Sequence, residues 1–158
     1  MKKFIFYIFT VFIVACCFFA PSVSFAEDVA VCGNSTGKSY FADREMNPHE
    51  TIGWTDDKMT GKFTFKKNDD GTLDLLYLDS TGSIKSSIAE GAKIVPASIS
   101  DDAVSIVVLY PNSLVSSYTF QILNNKKMQV MWTQNKVETP FPKISAMVAD
   151  CSLSLIHI

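Results

Sequence analysis

The side chains best suited to chemistry in this sequence are aromatic rings and amides near a lysine. Trp132 precedes Gln134, Asn135 and Lys136 within a span of five positions, and Trp54 lies in a separate polar segment. A ring face beside amide and ammonium groups is typical of shallow sites for sugars, peptides or small amphiphiles. We therefore predict a ligand-binding or partner-binding site that uses these five residues.

Both tryptophans also have a purely structural interpretation. Trp132 alternates in phase with Met128 and Val130, which is the pattern of a strand that packs one face in a core. Trp54 follows Gly53, and its ring could close one end of a barrel. The sequence leaves both interpretations open.

Patterns for catalysis are weak. His49 stands alone in a polar segment, and no Ser-His-Asp spacing can be proposed around it. The Asp56-Asp57 pair lies in turn-like sequence, so we expect solvated carboxylates rather than an acid/base pair. We predict no catalytic residue, no metal ligand and no cofactor, with a hydrolase of unknown class as an alternative.

Two short motifs resemble known ion-binding loops only in part. The segment 33–39 resembles the end of a phosphate-binding loop, but Cys32 stands where its first glycine belongs. We expect an exposed turn there, beside a disulfide. The segment 68–74 resembles part of a calcium loop but lacks its closing glutamate, so we expect a hairpin turn at Gly71.

The first 26 residues predict an export signal peptide. Lys2 and Lys3 precede an apolar run over 4–19 that is short for a bilayer span, and the small residues Ser24 and Ala26 favour cleavage before Glu27. We therefore expect a periplasmic or secreted protein of a Gram-negative bacterium, with no membrane span after cleavage. An uncleaved anchor is one alternative, and a lipoprotein anchored at Cys16 is another.

After the leader, only Cys32 and Cys151 remain, one near each end of the mature chain. An even cysteine pair in an exported protein indicates a disulfide. We expect this bond to join the first strand to the last.

The mature region contains twelve Lys and Arg, because Lys2 and Lys3 belong to the leader, against sixteen Asp and Glu. Its net charge is therefore −4, and bases and acids are interleaved along the chain. No basic patch suited to nucleic acid is present.

From residue 61 onward, short segments of alternating apolar and polar residues are separated by turn residues, which predicts an all-β antiparallel fold. We count about eight strands in a meander and expect an up-and-down barrel, with a two-sheet β-sandwich as the alternative. The inward-facing set is bulky enough to fill a barrel interior; it comprises Phe65, Tyr77, Ile106, Tyr118, Phe120 and Trp132. The nonperiodic stretch 34–59 is expected to wrap one end.

The domain organisation follows from these boundaries. Residues 1–26 are the expected signal peptide and residues 27–152 a single disulfide-linked β domain. Residues 153–158 match the translation of a transposase end sequence used in sequencing libraries, so we expect them not to be native. A genuine apolar C-terminal extension is the alternative.

Several short motifs of the mature chain resemble those of small exported, periplasmic proteins of Gram-negative bacteria that have no assigned function. The motifs are Cys32-Gly33, Gly53-Trp54, 132–136, Pro142-Lys143 and 149–151. The resemblance implies a disulfide-linked exported domain and transfers no activity, ligand or catalytic residue.

The function predicted from the sequence is therefore binding. We expect a non-enzymatic, monomeric module that engages a protein or another envelope component through its loops. The alternative is a carrier that holds a small apolar ligand inside an eight-stranded barrel. A solid interior would exclude the carrier, whereas an apolar pocket of about 300 Å³ or more would favour it.

Overall fold

The computed structural model describes residues 27–44, 46–79 and 81–153. Within them the chain forms strands and one short 3-10 turn at His49–Thr51. The strands are β1 (Glu27–Cys32), β2 (Ser35–Phe41), β3 (Gly53–Met59), β4 (Phe63–Lys67), β5 (Leu73–Leu78), β6 (Ile84–Ser86), β7 (Lys93–Ile99), β8 (Ala103–Tyr110), β9 (Leu114–Ile122), β10 (Met128–Lys136) and β11 (Lys143–Leu153).

All described strands belong to one antiparallel sheet, with the order β6-β5-β4-β1-β11-β10-β9-β8-β7. β1 and β2 run in line along β11, because Cys32 pairs with Cys151 and Thr36 pairs with Val148. β3 and β4 are also in line with each other: β3 pairs with β2, and β4 pairs with β1. The sheet is therefore a meander in which β6 and β7, consecutive in the chain, form its two ends.

The sheet curls into a half-barrel, and its concave face holds the core. The rings of Phe65 on β4 and Phe120 on β9 stack at 4.8 Å between centroids, although three strands separate β4 from β9 in the sheet. Ala30, Ile106 and Val130 fill the space around them without exposure to solvent. Burial of such side chains contributes roughly 25 cal/mol per Å² of apolar surface, so the curl is the shape that stabilises this sheet.

These features confirm the predicted all-β, barrel-like meander, and they exclude the two-sheet sandwich because one sheet contains every described strand. The predicted inner face is also confirmed at Phe65, Ile106, Tyr118, Phe120 and Trp132, which are all buried. The eight strands from β4 to β11 match the expected number, and β1, β2 and β3 are additional to it.

The disulfide joins Cys32 to Cys151 with an S–S distance of 1.99 Å. The two residues are direct partners across β1 and β11. The bond therefore links the first strand to the last, as predicted.

The expectation that residues 34–59 wrap the end of the barrel is wrong. This stretch contains β2 and β3, which form a hairpin beside β11. The exposed turn expected at 33–39 is wrong for the same reason, since Ser35 and Ser39 are fully buried. The inward side chains here are serines, glycine and aspartate, so the strands carry no hydrophobic alternation.

The predicted leader, its cleavage site and Cys16 lie outside the described residues. So do residues 154–158, while the backbone of Leu153 pairs with Ala30 at the end of β11. None of the helical segments in the described ranges has the length and apolarity needed to cross a membrane.

Candidate functional site

The concave face of the half-barrel is only partly filled, and the remaining space is a cavity of about 450 Å³. Side chains from β3, β4, β5, β8, β9, β10 and β11 line it. The interior is therefore neither solid nor an open channel. Its volume lies within the range of roughly 300–1,000 Å³ that is usual for small-molecule sites.

The floor of the cavity is aromatic. Tyr118 stacks on Trp132 with their ring centroids 5.8 Å apart, and Phe63 lies 5.9 Å from Tyr118 across the half-barrel. Trp132 Nε1 donates a hydrogen bond of 3.0 Å to Ser35 Oγ, which satisfies the only polar atom of the indole side chain. The ring faces are thus fixed in place, with Met147 beside them.

The rim of the cavity is polar. Along β10, Trp132, Gln134 and Lys136 alternate onto the same face, so the lysine lies about 13 Å farther along the strand than the tryptophan. Lys143 is the direct partner of Lys136 on β11. The register therefore places an aromatic floor and a basic rim at successive levels of one cavity.

An ion pair occupies part of this rim. Lys143 Nζ donates to Asp57 Oδ2 at 2.6 Å, and it lies over the Phe41 ring at 5.1 Å from the centroid. Asp57 Oδ2 also accepts a 2.6 Å hydrogen bond from Ser39 Oγ, and Ser145 Oγ lies 2.7 Å from Ser39 Oγ. Since the carboxylate can only accept, Ser39 donates to it and Ser145 donates to Ser39.

Burial and charge at the rim change two pKa values in the same direction. Burial alone would raise the pKa of Asp57, but the hydrogen bonds from Lys143 and Ser39 outweigh it and hold this pKa below its usual value. Burial lowers the pKa of Lys136 and the charge of Lys143 lowers it further, while the charge of Asp57 opposes these two effects without cancelling them. Among the described residues, no carboxylate lies within ion-pair distance of Lys136.

The phenols of Tyr118 in the floor and of Tyr77 in the cavity lining remain neutral over a wide pH range. Burial raises the pKa of Tyr118 to about 12. The pKa of Tyr77 is also raised, first by burial and then by its hydrogen bond to Glu90. Neither phenol is therefore charged at any pH near neutrality.

The structure divides the five predicted site residues between two faces. Trp132, Gln134 and Lys136 line the cavity, where Gln134 Nε2 donates a long hydrogen bond of 3.4 Å to Ser116 Oγ. Asn135 points to the convex face, because neighbours on a strand alternate. Trp54 is also on that face and is 63% exposed, so it does not plug the barrel end.

Trp54 and Asn135 belong to one row across the convex face. The strand register aligns Trp54 with Tyr40, Tyr40 with Ile144, Ile144 with Asn135, and Asn135 with Val115. The four apolar side chains of this row are all exposed, and Trp54 meets Tyr40 edge-on at 5.6 Å between centroids.

Sequence reasoning missed the residues contributed by the opposite walls. Tyr118 carries a signal, since it alternates with Phe120 and Ile122, but the same alternation is expected of a side chain that only packs in a core. The assignment of Asp57 to a solvated turn is wrong, because it lies within β3 and its side chain is only 19% exposed. Its pairing with Lys143, 86 positions away, has no local signal.

The described residues contain no group of three or more His, Cys, Asp or Glu side chains that could hold a metal ion. What the cavity offers is an aromatic surface, hydrogen-bonding groups and the half-buried ammonium of Lys136. No protein-family model matches this chain, and neither the curated proteins nor the solved structures contain a match.

Proposed function

We propose that this protein is a non-enzymatic binding protein that takes a small amphiphilic ligand into the concave cavity. The observation that carries the proposal is the volume of about 450 Å³ left between an aromatic floor and a polar rim. A ligand there would bury its apolar part on Trp132 and Tyr118 and keep its polar part at the rim. Cavities that combine apolar walls with a few fixed polar groups are the usual form of such sites.

The proposal includes export. A disulfide between strands far apart in the sequence is stable in an oxidising compartment, which supports a periplasmic or secreted location. A carrier of a small amphiphile outside the cytoplasm needs no catalytic group.

The test uses the fluorescent probe N-phenyl-1-naphthylamine, which is neutral and apolar. The wild-type protein should bind it saturably with a rise in emission. Gln134→Trp should lower the affinity at least tenfold, because the indole fills the cavity. Asn135→Trp is the matched control, since the same side chain on the next residue points to the convex face, and it should bind like the wild type.

Each variant is first compared with the wild type by circular dichroism and thermal unfolding. Absence of saturable binding to the folded wild-type protein would refute the proposal. Equal binding by the two tryptophan variants would do the same, because it would place the probe outside the cavity.

A second candidate function is recognition of an envelope protein, and the exposed row from Trp54 to Val115 favours it. The convex row crosses five strands and carries four exposed apolar side chains together with Asn135, and exposed aromatic side chains are common anchors of protein interfaces. Co-purification of an envelope protein that disappears with Trp54→Ser and persists with Lys58→Ser would support this function. Retention with both variants would contradict it.

A further inference from the structure

We infer that the ligand of the cavity carries a single anionic group, which sits against Lys136. This inference rests on the proposed function and names the chemical class of its ligand. The expected ligand is an amphiphile with a carboxylate or a comparable oxyanion at one end and an apolar body at the other.

The first argument is the charge balance of the rim. Among the half-buried side chains of the lining, Lys136 and Lys143 contribute two positive charges and Asp57 contributes one negative charge; Lys58 and Lys62 also line the cavity, but both are exposed to solvent. The carboxylate is committed to Lys143 at 2.6 Å, and that ammonium also lies over the Phe41 ring. Among these half-buried groups, one positive charge therefore remains, and it is on Lys136. A half-buried charge without a partner costs free energy, which an anionic group would offset.

The second argument is an unpartnered hydroxyl in the same lining. Thr139 Oγ1 is buried and has no hydrogen-bond partner among the described residues. Thr139 follows β10 by three positions and lines the cavity together with Lys136. Buried hydroxyls are nearly always hydrogen-bonded in folded proteins, so a donor of this kind is suited to an oxygen atom of the ligand.

The third argument is the distance along β10 between Lys136 and the aromatic floor. Lys136 lies at the level of Leu114 and Lys143, whereas Trp132 lies at the level of Tyr118 and Met147. A ligand that rests on the aromatic floor and reaches the ammonium must span about 13 Å along the strand direction. Its charged group and its apolar body must therefore be at opposite ends.

Displacement of bound N-phenyl-1-naphthylamine by a matched series tests the charge of the ligand. The competitors are decanoate, decanol and decyltrimethylammonium, which share the apolar chain and differ at the head. With the wild type, decanoate should compete at least tenfold better than decanol, and the cation should be the weakest. Hexanoate should compete less well than decanoate, because a shorter chain cannot reach the floor.

Lys136→Met keeps the aliphatic stem and removes the charge. It should lower the affinity for decanoate about tenfold, the effect of losing roughly 1.4 kcal/mol of a charged hydrogen bond. Binding of decanol and of the neutral probe should stay within twofold of the wild type. Thr139→Val should lower the affinity for decanoate severalfold. Lys38→Met on the convex face should leave the affinity for every ligand of the series unchanged.

The outcomes separate the two proposals. If the neutral probe and decanol fail to bind, the proposed function itself is refuted. If they bind but decanoate competes no better than decanol, only the inference that the ligand is anionic is refuted. The same holds if Lys136→Met leaves the affinity for decanoate unchanged. If Lys136→Met abolishes binding of the neutral probe and decanol as well as of decanoate, the inference of an anionic ligand is also refuted, because the effect would not depend on charge.

Discussion

Two adjacent aspartates on β3 differ in environment because strand residues alternate between faces. Asp56 points outward and pairs with Lys38 at 2.7 Å, where both side chains are highly exposed. Asp57 points inward and pairs with Lys143 at 2.6 Å, where both side chains are about one fifth exposed. The same ion-pair geometry therefore occurs once in solvent and once in a largely dehydrated rim.

We predict that Asp57→Asn destabilises the protein by about 1–3 kcal/mol at pH 7, because it leaves Lys143 without its charged partner. Asp56→Asn should leave the free energy of unfolding nearly unchanged, since exposed ion pairs contribute little. Urea denaturation of both variants checks this. Equal destabilisation by the two substitutions would contradict the inward position of Asp57.

The loss of unfolding free energy caused by Asp57→Asn should also depend on pH. The pKa of Asp57 is lower in the folded protein than in the unfolded chain, so between these two values the unfolded chain binds more protons and stability rises with pH. The stabilisation by Asp57 is thus fully present above about pH 5 and is lost as pH falls below about 4. The variant and the wild type should converge in acid, as measured by denaturation at several pH values.

Among the elements, β2 is the strand that fixes the polar side of the cavity. Its inward residues are small, which lets β2 approach β11 closely and lets the Asp57 carboxylate reach Ser39. Gly37 is the direct partner of both Asp57 on β3 and Met147 on β11. A Cβ atom at Gly37 would lie 2.0 Å from the carbonyl oxygen of Ala146 and 2.8 Å from Met147 Cα.

We predict that Gly37→Ala destabilises the protein by at least about 2 kcal/mol, because only a backbone shift can relieve this overlap. Gly33→Ala is the matched control. Among the described residues outside its own chain neighbours, its added Cβ would meet one atom within 4 Å, the carbonyl oxygen of Asp150 at 3.9 Å, so the substitution should cost less than about 1 kcal/mol. Thermal unfolding of the two variants distinguishes them, and similar melting temperatures would show that β2 and β11 are not in close contact.

In the whole molecule, the half-barrel depends on long-range pairing between its first and last strands. β1 joins the β4–β6 part of the sheet to the β7–β11 part, and the Cys32–Cys151 bond fixes that junction. The bond spans 119 positions, so it strongly reduces the conformational entropy of the unfolded chain. The cavity lies between the two parts and requires both.

We predict that the double variant Cys32→Ala/Cys151→Ala loses about 3–5 kcal/mol of stability, as expected from the chain-entropy account for a loop of this length. Reduction of the wild type should produce the same loss, which controls for the packing of the substituted side chains. Guanidinium denaturation measures both. A wild type that contains two titratable thiols after denaturation without reductant would overturn the prediction.

How much of this molecule could be predicted from its sequence varies along the chain. The meander from residue 61 onward and the buried face through Tyr118, Phe120 and Trp132 were predicted because alternation is a local signal. β2 and β3 were missed because their inward positions carry Gly37, Ser39 and Asp57, which are polar or small and pair only with each other and with β11.

The sequence by itself determined the fold class, the inner face of the later strands and the cysteine pair, because each depends on residue type and short-range spacing. Only the tertiary structure decided the rest. The curl of the sheet left a cavity beside Trp132, the Asp57–Lys143 pair left Lys136 without a partner, and the strand register moved Trp54 and Asn135 to the opposite face. These outcomes depend on contacts between distant strands, which no local pattern encodes.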